Sequence, residues 1–166
     1  MMGAPCTPCS ESSPTINACD PDQSLDEYGR LYNWYAVTDN RGLCPSGWVV
    51  PNNAQWDELI DHVSGEGFQT GLALKSQAGW AQHVNSDGVA EDGNGEDPFG
   101  FGALPGGVRG ENGNFSGAGS NGQWWSRTPF GFFAHRYRLT SSGSEMSSTI
   151  VDWRRGSSVR CVLPSN

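Results

Sequence analysis

The sequence predicts an α+β fold, with one or two helices packed on a twisted antiparallel sheet and many loops, and three observations lead there. After Pro51, Trp56, Leu59, Ile60 and Val63 recur at i, i+3, i+4 and i+7, the spacing of one helix face. From Phe99 onward, short β-favouring runs alternate with turns of Gly, Asn and Ser, as in an antiparallel meander. The composition, 23 Gly and 10 Pro among 166 residues with only 17% charged, disfavours a helical bundle. That length allows one hydrophobic core of ordinary size, so the expected organisation is an irregular arm over residues 1–24 and a single domain over 25–166.

Each element has a local reason. Residues 1–24 hold Pro, Ser, Cys and Asp with almost no apolar periodicity. In Tyr28–Val37 aromatics fall on both alternating faces, which fits a doubly covered strand or a strand running into a turn of helix. Asn52 or Asn53 can cap the helix after Pro51, Asp57 and Glu58 occupy its early turns, and Gly65 follows its end. A second short helix is expected over about 70–77, and residues 85–97, acidic and glycine-rich, read as an exposed loop. Strands are expected at 107–109, 123–127, 134–140, 149–153 and 158–162.

Net charge is −8, unevenly spread: Arg127, Arg136, Arg138, Arg154, Arg155 and Arg160 face only Glu145 and Asp152 after residue 126, so that part is locally basic. A pI near 4.7 and a single lysine, Lys75, argue against a nucleic-acid partner. No apolar run of about 18 residues exists, so no direct membrane insertion is expected, and the N-terminus lacks the features of a signal peptide. The expectation is a soluble chain whose export, if it is exported, depends on a signal elsewhere. Of five cysteines, Cys6 and Cys9 have a C-x-x-C spacing with no second half to complete a zinc site. Cys44 and Cys161 are the better candidates for a long-range disulfide, the alternative being two buried thiols.

Seven segments in order, Gly29-Arg-Leu-Tyr-Asn-Trp34, Gly42-Leu-Cys-Pro-Ser-Gly-Trp-Val-Val-Pro51, Ala54-Gln-Trp-Asp-Glu-Leu59, Leu74-Lys-Ser-Gln-Ala-Gly-Trp80, Phe99-Gly-Phe-Gly-Ala-Leu-Pro-Gly-Gly107, Trp124-Trp-Ser-Arg-Thr128 and Ser158-Val-Arg-Cys-Val162, resemble the landmarks of the Fibrobacter succinogenes major paralogous domain. The likeness spans about residues 28–163 and leaves the arm unmatched. It implies a C-type lectin-like fold, related to formylglycine-generating enzymes and to the variable proteins of diversity-generating retroelements. Such a fold brings the chain ends together, which suits a Cys44–Cys161 bridge.

Enzymatic groups are hard to find. His62, His83 and His135 show no metal-ligand spacing, the His-x-x-x-His-x-Glu pattern of iron-dependent relatives is absent, and only Cys161 stands where formylglycine-generating enzymes use a cysteine pair for copper. No cofactor is expected to be required. Asp87, Asp92, Asn94 and Asp97 offer hard oxygens that could hold calcium, without EF-hand spacing; a solvated loop is the plainer reading.

The C-terminal third reads instead as a recognition surface. Gln123, Trp125, Arg127, Phe130, Phe132, Phe133, His135, Tyr137, Ser142, Glu145, Asp152 and Arg154 mix rigid rings, arginines and adaptable hydroxyls. Retroelement variable proteins carry their ligand face in the corresponding stretch. The expected function is therefore a non-catalytic adhesin or receptor-binding module for a cell-surface glycan or protein, placed extracellularly, on a cell surface or on a virion such as a phage tail. The competing classes are a metal-dependent oxidoreductase of the formylglycine-generating type and a structural or assembly subunit, the latter as a homo-oligomer. Alanine at Arg127, Tyr137 or Arg154 is expected to weaken binding without lowering the melting temperature.

Overall fold

In the computed structural model, which describes residues 21–164, the chain enters through α1 (Pro21–Tyr28). Residues 21–24, expected within the irregular arm, are thus helical. The rest of the arm, with Cys6, Cys9 and Cys19, lies outside the described residues.

Tyr32 then exchanges backbone hydrogen bonds with Ser157, and Asn33 caps α2 (Trp34–Val37) by accepting the Ala36 N–H, so the extended chain does run into a turn of helix. Helix α3 (Asn53–Gly65) starts with a reciprocal cap: Asn52 Oδ1 accepts the Gln55 N–H and Gln55 Oε1 accepts the Asn52 N–H. Its apolar stripe buries Trp56 and Val63, with Leu59 and Ile60 half-buried beside them.

Helix α4 (Thr70–Leu74) stops three residues short of the expected end. At Lys75 the chain turns extended and bridges to Ala103. The Lys75 side chain dives inward, where Nζ donates to the carbonyls of Thr140, Ser141 and Gly143 at 3.2–3.3 Å and lies over the Trp80 ring. A long-range contact therefore overrides local helix propensity.

The first part of the acidic segment closes a small exposed hairpin, β1 (His83–Val84) with β2 (Ala90–Glu91), and a second hairpin joins β3 (Gly106–Arg109) to β4 (Phe115–Ala118). The main sheet is the antiparallel meander β5 (Asn121–Phe130), β6 (Phe133–Thr140) and β7 (Ser147–Asp152). Ser158 extends it at the free edge of β5 through a parallel bridge to Trp124.

Both faces of this sheet are covered. One carries Trp124, Tyr137 and Leu139 into a core with Trp56, Val63, Leu74 and Trp80. The other carries Trp125, Ala134 and Val151 into a second core with Trp34, Val37 and Val50. Successive strand residues point to opposite faces, so the adjacent Trp124 and Trp125 feed different cores. A Cys44–Cys161 disulfide with Cα atoms 5.8 Å apart ties the early chain to the last residues, and Val49 pairs with Val162 close by. The architecture is α+β.

Candidate functional site

The β5–β6 hairpin closes through Gly131 and Phe132, with Phe130 paired to Phe133. Gly131 has φ 59°, a conformation glycine adopts without strain, and a glycine-first two-residue turn matches the twist of the flanking strands. Its consequence is exposure. Phe132 is 82% exposed, and Phe130 and Phe133 are about half exposed. His135 is half-buried, edge-on to Phe130 with centroids 5.9 Å apart, and the exposed Ile150 pairs with His135 from β7. Around the turn, Phe132 meets Trp153 at 6.2 Å, and Trp153 in turn stacks on Trp34 and takes the edge of the exposed Tyr35. Nothing in the spacing of Tyr35, Ile150 or Trp153 marked them for this cluster, because their rings and side chains join it only through the fold.

Arg127 is exposed, at the register shift between Trp125 and Pro129 that bends β5. Nearby, Ser126 Oγ binds Asn53 Oδ1 at 2.7 Å, and the Arg127 N–H donates to Pro51 O, so the bulge is anchored to the start of α3. Asp152 and Arg154 form a bidentate pair, and Arg154 also reaches Glu111 at 2.7 Å. Hydrogen bonds from the Arg154 side chain, then from its backbone, hold the Asp152 carboxyl down to about 2, and the same contact raises the Arg154 guanidinium.

Three residues expected at the surface are inside. Trp125 is wholly buried, its Nε1 donating to Tyr32 O at 2.6 Å, and Gln123 is buried in the same strand. Tyr137 stacks on Trp56 with centroids 5.1 Å apart and donates its hydroxyl to Asp57 Oδ1 at 2.7 Å. Burial first, then the bond to Asp57, raises the Tyr137 phenol above its ordinary value. The reason is common to all three: a sheet covered on both faces has no outward-facing row in its middle. Tyr137→Ala therefore belongs with core truncations, not with neutral surface changes.

Ser142 and Glu145 fall at the opposite end of β6 from the turn, in the connection to β7. Ser142 is exposed there, whereas the Glu145 carboxylate accepts the Thr70 hydroxyl at 2.6 Å and the Thr70 N–H at 3.2 Å. It braces the start of α4 and does not join the aromatic group.

In the acidic segment, Asp92 Oδ1 accepts the Asn94 N–H, Asn94 Oδ1 accepts the Trp80 N–H, and Asp97 Oδ1 accepts the Gly102 N–H. Asp87 is exposed. Among the described residues no three His, Cys, Asp or Glu side chains gather as a metal site would need. Cys161, the one cysteine of the C-terminal half, is in the disulfide.

Arg136, which the sequence pattern did not single out, is also inside. It is 8% exposed in the middle of β6, and burial, then the charges of Arg155 and Arg138, push its guanidinium down to about 10. Pairing with Trp125 puts it on the face of the second core.

The fold and this surface define a disulfide-tied α+β domain whose main sheet ends in an exposed aromatic hairpin. The chain belongs to the Fibrobacter succinogenes major domain family, whose model matches residues 4–163, so the likeness takes in most of the N-terminal arm as well. No curated protein and no solved structure matches the chain.

Proposed function

We propose that this domain is a non-catalytic binding module that presents the β5–β6 hairpin to a surface glycan or protein, on a scaffold of C-type lectin-like arrangement. The observation that carries the reading is the hairpin itself. Phe130, Phe132 and Phe133 stand out of the protein beside Tyr35 and Ile150, a concentration of exposed apolar side chains that soluble domains keep for contacts. Arg127, three residues before Phe130, supplies directional donors, and Phe132 rests against Trp153 and Phe130 against His135, which lowers the side-chain entropy lost on binding.

A disulfide fits an oxidising setting, and no helix among the described residues is long and apolar enough to cross a membrane. The disulfide supports an extracellular place, on a cell surface or a virion. The mechanism requires no cofactor; Asp87, Asp92, Asn94 and Asp97 are where calcium would be sought by titration.

The test is a glycan and surface-protein array probed with the wild type, Phe132→Ala and Arg127→Ala. Both variants should lose about tenfold or more in affinity for the captured ligand, with melting temperatures within about 2 °C of the wild type. Unchanged capture by Phe132→Ala would overturn the reading. If Phe132→Ala instead dissolves a homo-oligomer without touching ligand capture, the rings serve assembly, the second reading that their exposure favours.

A further inference from the structure

Arg136 holds a buried positive charge without a partner. Its Nε and Nη1 are shielded from solvent and have no hydrogen-bond acceptor, and no ion pair among the described residues joins it to a carboxylate. Such donors cost free energy when left unmade, and folded proteins rarely leave them so.

The surroundings share the deficit. Register places Arg138 two residues along β6 on the same face, about 7 Å away, and sets Gln123 opposite Arg138. Ser157 neighbours Ser158, which bridges Trp124, so Ser157 falls on the face of Gln123 and Trp125. Trp153 Nε1 is a further buried donor without a partner, Ser157 Oγ can donate or accept, and Gln123 Oε1 is the lone unpaired acceptor. Arg155, whose guanidinium is also 3.7 Å from the Glu111 carboxylate, adds to the cost of the Arg136 charge. This face therefore has an excess of donors and positive charge over acceptors, in a chain that is acidic as a whole. An oxyanion supplies what it lacks.

Trp153 connects this face to the hairpin, since its ring touches Phe132 and Tyr35 while its indole N–H is one of the unpaired donors. We propose that Arg136, rimmed by Arg138 and Arg155, recognises a single carboxylate on the ligand, and that the ligand is an acidic sugar. The proposal rests on the hairpin being the ligand face. A sugar acid presents an apolar ring face and one carboxylate in a single rigid unit, which suits exposed rings linked through Trp153 to one unpaired guanidinium.

The experiment follows the Arg136 Nε–H resonance by NMR while titrating glucuronate, glucose, acetate and a short peptide with a free C-terminal carboxylate. Glucuronate should move that resonance saturably and bind about tenfold or more tightly than glucose. Acetate should move it weakly, having the charge without the ring. Arg138→Gln with Arg155→Gln, both nearer the surface than Arg136 and so safer for folding, should remove most of the preference for glucuronate over glucose. Equal binding of the two sugars, or an unmoved Arg136 resonance, overturns the carboxylate assignment; the hairpin reading survives that result if Phe132→Ala still weakens sugar binding. A peptide that moves the resonance where glucuronate does not overturns the sugar assignment. If glucuronate moves Arg136 and Phe132→Ala changes no sugar affinity, the anion site stands and the hairpin reading falls.

Discussion

Tyr137 illustrates how one side chain fixes a domain of this kind. Its ring lies on Trp56, and its hydroxyl joins the middle of the sheet to the first turns of α3 through Asp57. Replacing it with Phe keeps the ring and removes the bond to a carboxylate, a loss of about 1.5–3 kcal/mol. The phenol is raised in the folded state, so the proton it retains stabilises the fold fully below the unfolded value near 10, and that stabilisation is lost as pH climbs toward the folded value. The wild type should therefore lose stability between pH 9.5 and about 11 more steeply than Tyr137→Phe does, as followed by thermal melts. Parallel slopes for the two proteins would show that Tyr137 does not carry the alkaline limb. The sequence pattern misplaced Tyr137 for a definite reason. Alternation sorts residues into two faces but does not say whether both are dry, and here Trp56, Val63 and Leu74 cover the face that Tyr137 shares with Trp124. Arg127 and Phe132, at a bulge and a turn, escaped that ambiguity because irregular backbone sits at the surface.

At the scale of elements, legibility followed the range of the interactions. Helix α3 could be read because its cap, its apolar stripe and its terminating glycine all lie within a few residues of one another. Helix α4 could be read as a short helix beginning near residue 70, but its end could not, since Lys75 reaching carbonyls at 140–143 sets it. Gln69, the local cap position, makes no side-chain capping bond; Glu145, from the β6–β7 connection, accepts the Thr70 N–H in its place. The Thr70 hydroxyl, held by Glu145, accepts the Met146 N–H at 2.8 Å, so helix and connection brace each other. Glu145→Ala should then act as the loss of a cap, lowering stability by about 1 kcal/mol as seen in the urea midpoint, while ligand capture by the hairpin stays at the wild-type level. A fall in capture with stability unchanged would return Glu145 to the ligand face. The hairpin itself was visible as a Gly flanked by aromatics, whereas Tyr35 and Trp153 reach it from distant parts of the chain.

For the whole molecule, the decisive contact is the bond between Cys44 and Cys161, 117 residues apart. A chain this rich in glycine has much backbone entropy to lose on folding, and a single cross-link spanning most of the described residues removes a large share of it from the unfolded ensemble. Loop-closure reasoning for a span of that size gives about 4 kcal/mol or somewhat more. The bridge also acts where the sheet is thinnest, because Val49 and Val162 form only an isolated backbone pair beside it. Reduction, or Cys44→Ser with Cys161→Ser, should therefore lower the melting temperature by roughly 8–16 °C for a domain of this size. It should leave a cooperative transition, because the buried residues of both tryptophan-rich cores come from other positions and Cys44 only packs, partly buried, against the second. A shift below about 3 °C on reduction would mean that the cores alone fix the two ends, and the bridge would then be a marker of an oxidising compartment and not a structural tie.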